Sequence, residues 1–160
     1  MTARASSTTH PEAETRLLEP LRDVSHAVAQ HLAQHVVAEG LGPGTFWPLH
    51  HLDRGPEVHP GRLARRLGVT PATCTASVDQ LVELGYVVRR PSPSDRRQIV
   101  LVVTPKGHRT LETVWRSFDT SLRAALVGIP PEDIATTART LRTIASLLPG
   151  EAPASEEGPA

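Results

Sequence analysis

Residues 86–107 read YVVRRPSPSDRRQIVLVVTPKG. Two apolar stretches, 86–90 and 98–103, follow a period of two and are rich in valine and isoleucine, so they read as strands. The segment between them, 91–97, is too long for a two-residue turn and too polar to bury. It should project as a hairpin loop with Asp95, Arg96 and Arg97 at its end. Thr104 and Pro105 then supply a helix cap and a proline at the first helical position.

Upstream of this hairpin the period is 3.6. Pro60 opens a short helix with Leu63, Ala64 and Leu67 on one face, ended by Gly68. Thr70-Pro71 caps a second helix, which runs over 71–84 and stops at Gly85. A helix, a turn, a helix, a strand, a basic loop and a strand make a winged helix-turn-helix over 60–103. In that arrangement the second helix enters the major groove of DNA. On this helix Cys74, Val78 and Leu81 share a face that should pack inward. Ala72, Thr73, Ala76 and Gln80 lie opposite, with Thr75 at the flank and Thr70 at the N-terminus. A threonine can hydrogen-bond a base or touch a thymine methyl, whereas an alanine makes only the apolar contact. Arg62, Arg65 and Arg66 on the preceding helix are phosphate candidates, although Arg65 or Arg66 could serve only to solvate an exposed face.

The charge agrees with this reading once it is mapped. The chain holds 17 Lys plus Arg and 17 Asp plus Glu, for a net charge of zero. Positions 1–53 carry three basic and six acidic residues, positions 54–109 ten and four, and positions 110–160 four and seven. The basic centre coincides with the winged helix. Within the hairpin, Asp95 is two residues from Arg97 and could hold its guanidinium by a bidentate pair. Arg96 would then take a phosphate.

The flanks are helical. Leu17, Leu21, Val24, Val28 and Leu32 mark one amphipathic helix over 12–39, stopped by the glycines of 40–44. Pro20 predicts a kink or a separate first piece. A short helix over 45–53 follows, capped by Thr45 with Pro48 in its first turn. Gly55-Pro56 makes a turn. Beyond the hairpin, Leu111, Val114, Trp115, Phe118, Leu122, Ala125 and Leu126 line one face of a long helix, broken over 128–131. A last helix carries Ile134, Ala138, Leu141, Ile144, Ala145 and Leu148. The fold class is therefore mainly α with a small β-hairpin wing. The winged helix-turn-helix occupies 45–104, and 12–39 with 105–148 form a helical dimerisation lobe. The ends, 1–11 and 149–160, have little to bury and are expected to be disordered.

Composition excludes several classes. At 39% hydrophobic and 21% charged the chain is ordinary for a soluble domain. No apolar run approaches the roughly 18 residues of a membrane span. The N-terminus lacks the apolar core of a secretory signal. One cysteine, Cys74, permits no intramolecular disulfide, so the cytoplasm is the expected compartment. Aromatic residues at 3% are too few for a single-strand stacking platform. There is no nucleophile elbow, no phosphate-binding glycine loop and no pair of carboxylates on one predicted face, so an enzyme is not expected. No cofactor is implied.

Three stretches together resemble the MarR family of bacterial transcription regulators: 63–70 (LARRLGVT), 78–87 (VDQLVELGYV) and 93–107 (PSDRRQIVLVVTPKG). The last, an Asp-Arg-Arg wing tip followed by a strand and a Thr-x-x-Gly helix start, is the most specific. The resemblance spans about 17–148. It implies a homodimer joined through the outer helices, repression from a palindromic double-stranded DNA operator, and release by a small ligand or oxidant. It places Arg97 in the minor groove, where an arginine reads groove width and potential. Many members carry arginine where this chain has Ala76 and Gln80, so guanine readout from this helix is weakened and specificity should lean on shape. Members often bind phenolic or aromatic acids between the two lobes. Trp47, His50, His51 and Trp115 are the lining candidates here for a small aromatic or anionic effector, with ordinary helix packing as the alternative.

Eight histidines invite a metal reading. His31 and His35, spaced i, i+4, could share an ion. They should face either a dimer contact or an interior pocket. Hydrogen-bonded core and interface histidines, or a pH-sensitive or ligand-contacting role, are the alternatives, and no metal ligand is assigned. Cys74 reads as buried packing, with redox sensing as the alternative. The competing functions are thus a metal- or redox-responsive regulator of the same fold, or a winged helix that binds only protein. The last needs no arginine-rich wing, which Arg96 and Arg97 supply.

Overall fold

The computed structural model describes residues 11–55 and 58–148. The disorder expected of 1–10 and 149–160, and the Pro56 half of the turn, lie outside them. The elements are α1 (Pro11–Ala38), α2 (Pro43–Asp53), α3 (Pro60–Leu67), α4 (Pro71–Glu83), β1 (Val87–Pro91), β2 (Ile99–Val103), α5 (Pro105–Ala125) and α6 (Pro131–Leu147). Among the described residues no helix is long and apolar enough to cross a membrane.

The core forms where the periodic faces meet. Phe46, Leu49 and Leu52 of α2 pack with Leu63 of α3, with Val78 and Leu81 of α4, and with Leu111, Val114 and Phe118 of α5. Leu32 and Val36 bring in the C-terminal half of α1. The strands pair antiparallel, Val87 opposite Val103 and Pro91 opposite Ile99. Val58 adds a single bridge to Leu101 on the outer edge of β2. One residue of strand is too short to leave a periodic signal in the sequence.

Two local expectations are corrected. α1 runs as one 28-residue helix through Pro20, so the first turns do not form a separate piece. Pro20 is exposed, so the carbonyl it leaves unbonded within the helix can turn to water. α2 begins two residues before Thr45. Gly42 is its cap, Pro43 its first residue, and Thr45 stands in third position. The buried Thr45 hydroxyl accepts from the Gly42 N–H at 3.0 Å and donates to the Gly42 carbonyl at 3.0 Å. Pro48 consequently falls in the second turn, where it is buried.

The other caps follow the sequence. The hydroxyl of Thr70 accepts from the Thr73 N–H at 3.2 Å, and that of Thr104 from the Gly107 N–H at 3.2 Å. Thr104 also donates its hydroxyl to the Gly85 carbonyl at 2.8 Å and its N–H to the Tyr86 carbonyl at 2.9 Å. Gly85, at φ +75°, makes the left-handed turn from α4 into β1. The start of α5 is thereby fastened to the end of α4. α6 stands apart: none of its residues is buried.

Gly107 is fixed by this junction. A Cβ there would come within 2.5 Å of the Tyr86 carbonyl oxygen and 2.7 Å of Val103 Cγ1. Gly107→Ala should therefore destabilise the fold by about 2–3 kcal/mol through a backbone collision, even though alanine is the better helix former. Urea unfolding would measure it, and a neutral or stabilised variant would contradict this packing.

Candidate nucleic-acid interface

The exposed face of α4 holds the residues expected there and, in addition, Asp79. Cys74, Val78 and Leu81 are buried, whereas Ala72, Thr73, Thr75, Ala76, Asp79 and Gln80 are exposed. Two hydroxyls on this face are already engaged. Thr75 Oγ1 donates to the Pro71 carbonyl at 2.9 Å, and Thr73 Oγ1 lies 2.9 Å from Thr70 Oγ1. The face thus offers mainly methyl groups, with the Gln80 amide and the Asp79 carboxylate, itself paired with Arg89, as its polar elements. Thr70 itself is occupied as the cap.

Both ends of this helix are tied. Its N-terminus is held by the Thr70 cap. Near its C-terminal end Asp79 accepts from Arg89 Nη2 of β1 at 2.6 Å. Lys106 Nζ donates to the Leu84 carbonyl at 2.7 Å and sits 4.7 Å above the Tyr86 ring. The Asp79–Arg89 pair couples α4 to the wing. Sequence reasoning missed it, because a helix residue and a strand residue ten positions apart share no periodic pattern.

At the wing tip Asp95 departs from its expected role. Its Oδ1 accepts from the backbone N–H of Arg97 at 3.0 Å, and its Oδ2 from the Gln98 side-chain amide at 3.1 Å. The Gln98 N–H donates to the Asp95 carbonyl at 2.9 Å, and the Ser92 N–H to the Gln98 carbonyl at 2.8 Å. Asp95 therefore shapes the loop backbone and does not clamp the guanidinium. The reason is geometric: an aspartate at a turn reaches the N–H two residues on more readily than a long side chain beyond it. Arg96 and Arg97 are exposed, so the loop is closed by uncharged groups and one carboxylate while both guanidinium groups face water.

On α3, Arg62 and Arg65 are exposed, but Arg66 is only partly so. Its side chain lines a cavity of about 330 Å³ between α2, α3 and α4. Trp47 and His51 line the same cavity, while His50 and Trp115 do not. These two pack with Phe46 instead: His50 stacks on its ring at 6.1 Å between centroids, and Trp115 meets it at 5.8 Å. Trp47 belongs to both the cavity and this aromatic cluster, its ring 5.1 Å from that of Phe46 and 5.8 Å from that of His50.

That cluster reaches α1. Phe118 lies 5.9 Å from Trp115 and 5.7 Å from His31. The hydroxyl of Ser121 donates to the Phe118 carbonyl at 2.9 Å. Its oxygen then meets His31 Nε2 at 2.5 Å and His35 Nε2 at 3.2 Å. Both histidines therefore face α5 of their own chain. Among the described residues no group of three or more His, Cys, Asp or Glu is placed to hold a metal ion. The Cys74 thiol is buried, its pKa raised by loss of solvent, with its Sγ 3.7 Å from the Pro60 carbonyl. A raised pKa leaves little thiolate, the form that reacts with oxidants.

Comparison with known proteins bears on this geometry. A model of the MarR family matches residues 39–98. The HTH-type transcriptional repressor YetL of Bacillus subtilis (strain 168) is 33% identical over 115 residues, covering 71% of this chain and 69% of that protein. Against other relatives the matched stretch spans about half of their length. Among solved structures, a MarR family protein from Bacillus stearothermophilus has a TM-score of 0.79 at 21% identity, covering 86% of this chain and 96% of that one. CouR from Rhodococcus jostii RHA1, solved bound to p-coumaroyl-CoA, has a TM-score of 0.61 at 27% identity, covering 80% of this chain and 90% of that one.

The aromatic cluster has a measurable electrostatic consequence. Burial lowers the pKa of His50, and the charges of Arg54 and His51 lower it further, against a partial opposite effect of Asp53. Folded His50 stays neutral at a pH where the unfolded chain, titrating near 6.5, already takes up the proton. His50 therefore costs nothing above about pH 7.5. It draws stability down as pH falls through the unfolded value toward the lower folded one. Urea midpoints at pH 7.5 and 5.5 should separate further for the native chain than for His50→Gln. Equal separations would contradict the burial of this imidazole.

Proposed function

This chain belongs to the MarR family, and from that premise we propose that it is a homodimeric transcriptional repressor that binds a palindromic double-stranded DNA operator and releases it on binding a small molecule. Its function is binding, without catalysis, and its place is the cytoplasm. The observation that carries the reading is the pairing of two exposed, internally braced elements. α4 is capped by Thr70, tied to the wing through Asp79–Arg89, and presents Ala72, Thr73, Thr75, Ala76 and Gln80. The wing is closed by Asp95 and presents Arg96 and Arg97.

In this reading α4 enters the major groove and the wing tip lies at the minor groove. Arg97 is drawn by the negative potential of a narrow groove. Arg96 and Arg62 contact phosphates and set the register without reading sequence. Arg66, partly buried beside the cavity, contributes at most from the edge of this surface. A major-groove face of methyl groups, one amide and one paired carboxylate discriminates bases weakly, so DNA shape and deformability supply much of the specificity.

The dimer reading rests on apolar surface that one chain leaves uncovered. Leu17, Leu18 and Val24 on α1, Val127 and Ile129 after α5, and Leu141 and Leu147 on α6 are all exposed. These residues lie outside 45–104, within the segments assigned to a dimerisation lobe. Their burial between two copies would place two α4 helices about 34 Å apart on one face of a duplex. Release by a small molecule is supported by the ligand in the CouR structure and by the aromatic residues Trp47, His50, His51 and Trp115.

Selection from a random duplex library at near-physiological salt should enrich a palindrome with half-sites about ten base pairs apart. No enrichment would overturn the sequence-specific reading. On the recovered duplex, Arg97→Ala should weaken binding by about 10- to 100-fold, the scale of a lost arginine contact. It should also flatten the dependence of affinity on salt. Unchanged affinity would remove the wing from the interface.

A further inference from the structure

We infer that His31 and His35 on α1, together with Ser121 on α5, form an exchangeable binding site for one divalent transition-metal ion of the zinc type. The inference is independent of the regulator reading. It concerns the polar edge of the aromatic cluster, where α1 packs on α5.

Three atoms converge there. His31 and His35 are one helical turn apart, so their side chains rise from the same face of α1. Their Nε2 atoms are 3.4 Å apart, while their ring centroids are 4.8 Å apart. The nitrogens are nearer to each other than the rings that carry them, so both turn inward. The Ser121 oxygen stands 2.5 Å from the first and 3.2 Å from the second. A zinc ion bonds imidazole nitrogen at about 2.0–2.1 Å with tetrahedral angles. Two such bonds, to nitrogens 3.4 Å apart, enclose an angle of about 110°, the tetrahedral value. The three separations are also short enough for one point to lie at that bond length from all three atoms.

The protons permit the exchange. Ser121 gives its hydroxyl hydrogen to the Phe118 carbonyl, so its oxygen faces the imidazoles as an acceptor. Each imidazole then turns an N–H toward it, and two donors confront each other across 3.4 Å. Moving each proton to Nδ1 leaves both rings neutral and surrounds one point with three lone pairs. Imidazole nitrogens suit zinc, copper and nickel, whereas magnesium and calcium prefer oxygen.

His31, His35 and Ser121 are half-buried, so water reaches the site and can complete the coordination. Among the described residues no third His, Cys, Asp or Glu joins them. Two imidazoles and a hydroxyl hold an ion less firmly than the closed sets of structural zinc. The ion therefore exchanges with solution, and the fold forms without it. Once bound it clamps one turn of α1 and ties that turn to α5, which favours the native chain over the unfolded one.

The full chain, freed of metal with a chelator, is titrated with Co2+ and then with Zn2+. One equivalent of Co2+ should develop the intense visible bands of four-coordinate cobalt. Zn2+ should displace it and raise the thermal midpoint in step with its concentration. His31→Gln and His35→Gln keep an amide that can donate to Ser121 but remove a ligand nitrogen, and each should abolish the cobalt bands. Ser121→Cys puts sulfur at the third corner. It should bind Co2+ about tenfold more tightly or better, since thiolate is a strong ligand for these ions, and add a sulfur-to-cobalt charge-transfer band in the near ultraviolet. No cobalt bands in the native chain would overturn the site. Bands undiminished in either folded glutamine variant would place the ion on other histidines and overturn it equally. A Ser121→Cys chain with no sulfur band and no gain in affinity would overturn the three-atom geometry, and this test stands even where a glutamine variant fails to fold.

Discussion

The contact of Gly107 with the Tyr86 carbonyl is the constraint around which the rest is arranged. Here α4 ends, the hairpin begins and returns, and α5 starts. An oxygen and a methyl group occupy the space where a Cβ would stand, so the backbones approach more closely than any other residue permits. Thr104 and Lys106 exploit that closeness, donating to the Gly85 and Leu84 carbonyls, which directly follow the last residue of α4. The first turn of α5 thus caps the C-terminal end of the helix assigned to the major groove. Any displacement of α5 is felt at α4 because hydrogen bonds, not only packing, join them.

The wing is built by the same economy of parts. Asp95 spends both oxygens on the loop, one on a backbone N–H and one on Gln98. A carboxylate at the tip of a DNA-facing loop would otherwise repel phosphate. Committed to hydrogen bonds, its charge is partly answered locally, while Arg96 and Arg97 face outward. The net-neutral chain therefore concentrates positive charge where the polymer would lie and keeps its acidic residues mainly on the flanks. Net charge alone would have argued against a nucleic-acid partner; its distribution along the chain argues for one.

Aromatic and histidine rings form a continuous packed series from α1 through α5 to α2: His31, Phe118, Trp115, then Phe46 and His50. The series joins the long helices of the outer lobe to the helix that also lines the cavity. Ser121 supplies its polar anchor, accepting from two imidazoles while donating to Phe118. These rings account for three of the eight histidines, His31, His35 and His50, as packing and hydrogen-bonding groups, a role that needs no metal ion.

The sequence by itself determined the order and type of the elements, the caps at Thr70 and Thr104, the inward face of Cys74, Val78 and Leu81, and the basic wing. These follow from spacing within a few residues: hydrophobic periods of two and 3.6, and side chains that bond the backbone three positions on. It did not determine that Thr45 braces α2 from inside the helix, because Gly42 offers no side chain to announce the cap. Only the tertiary structure decided that Asp95 bonds backbone in place of guanidinium, that Asp79 meets Arg89, and that Val58 bridges Leu101. In each case the outcome turns on which atoms, remote in sequence or competing for one partner, come within about 3 Å of each other. Only the packed core sets those distances.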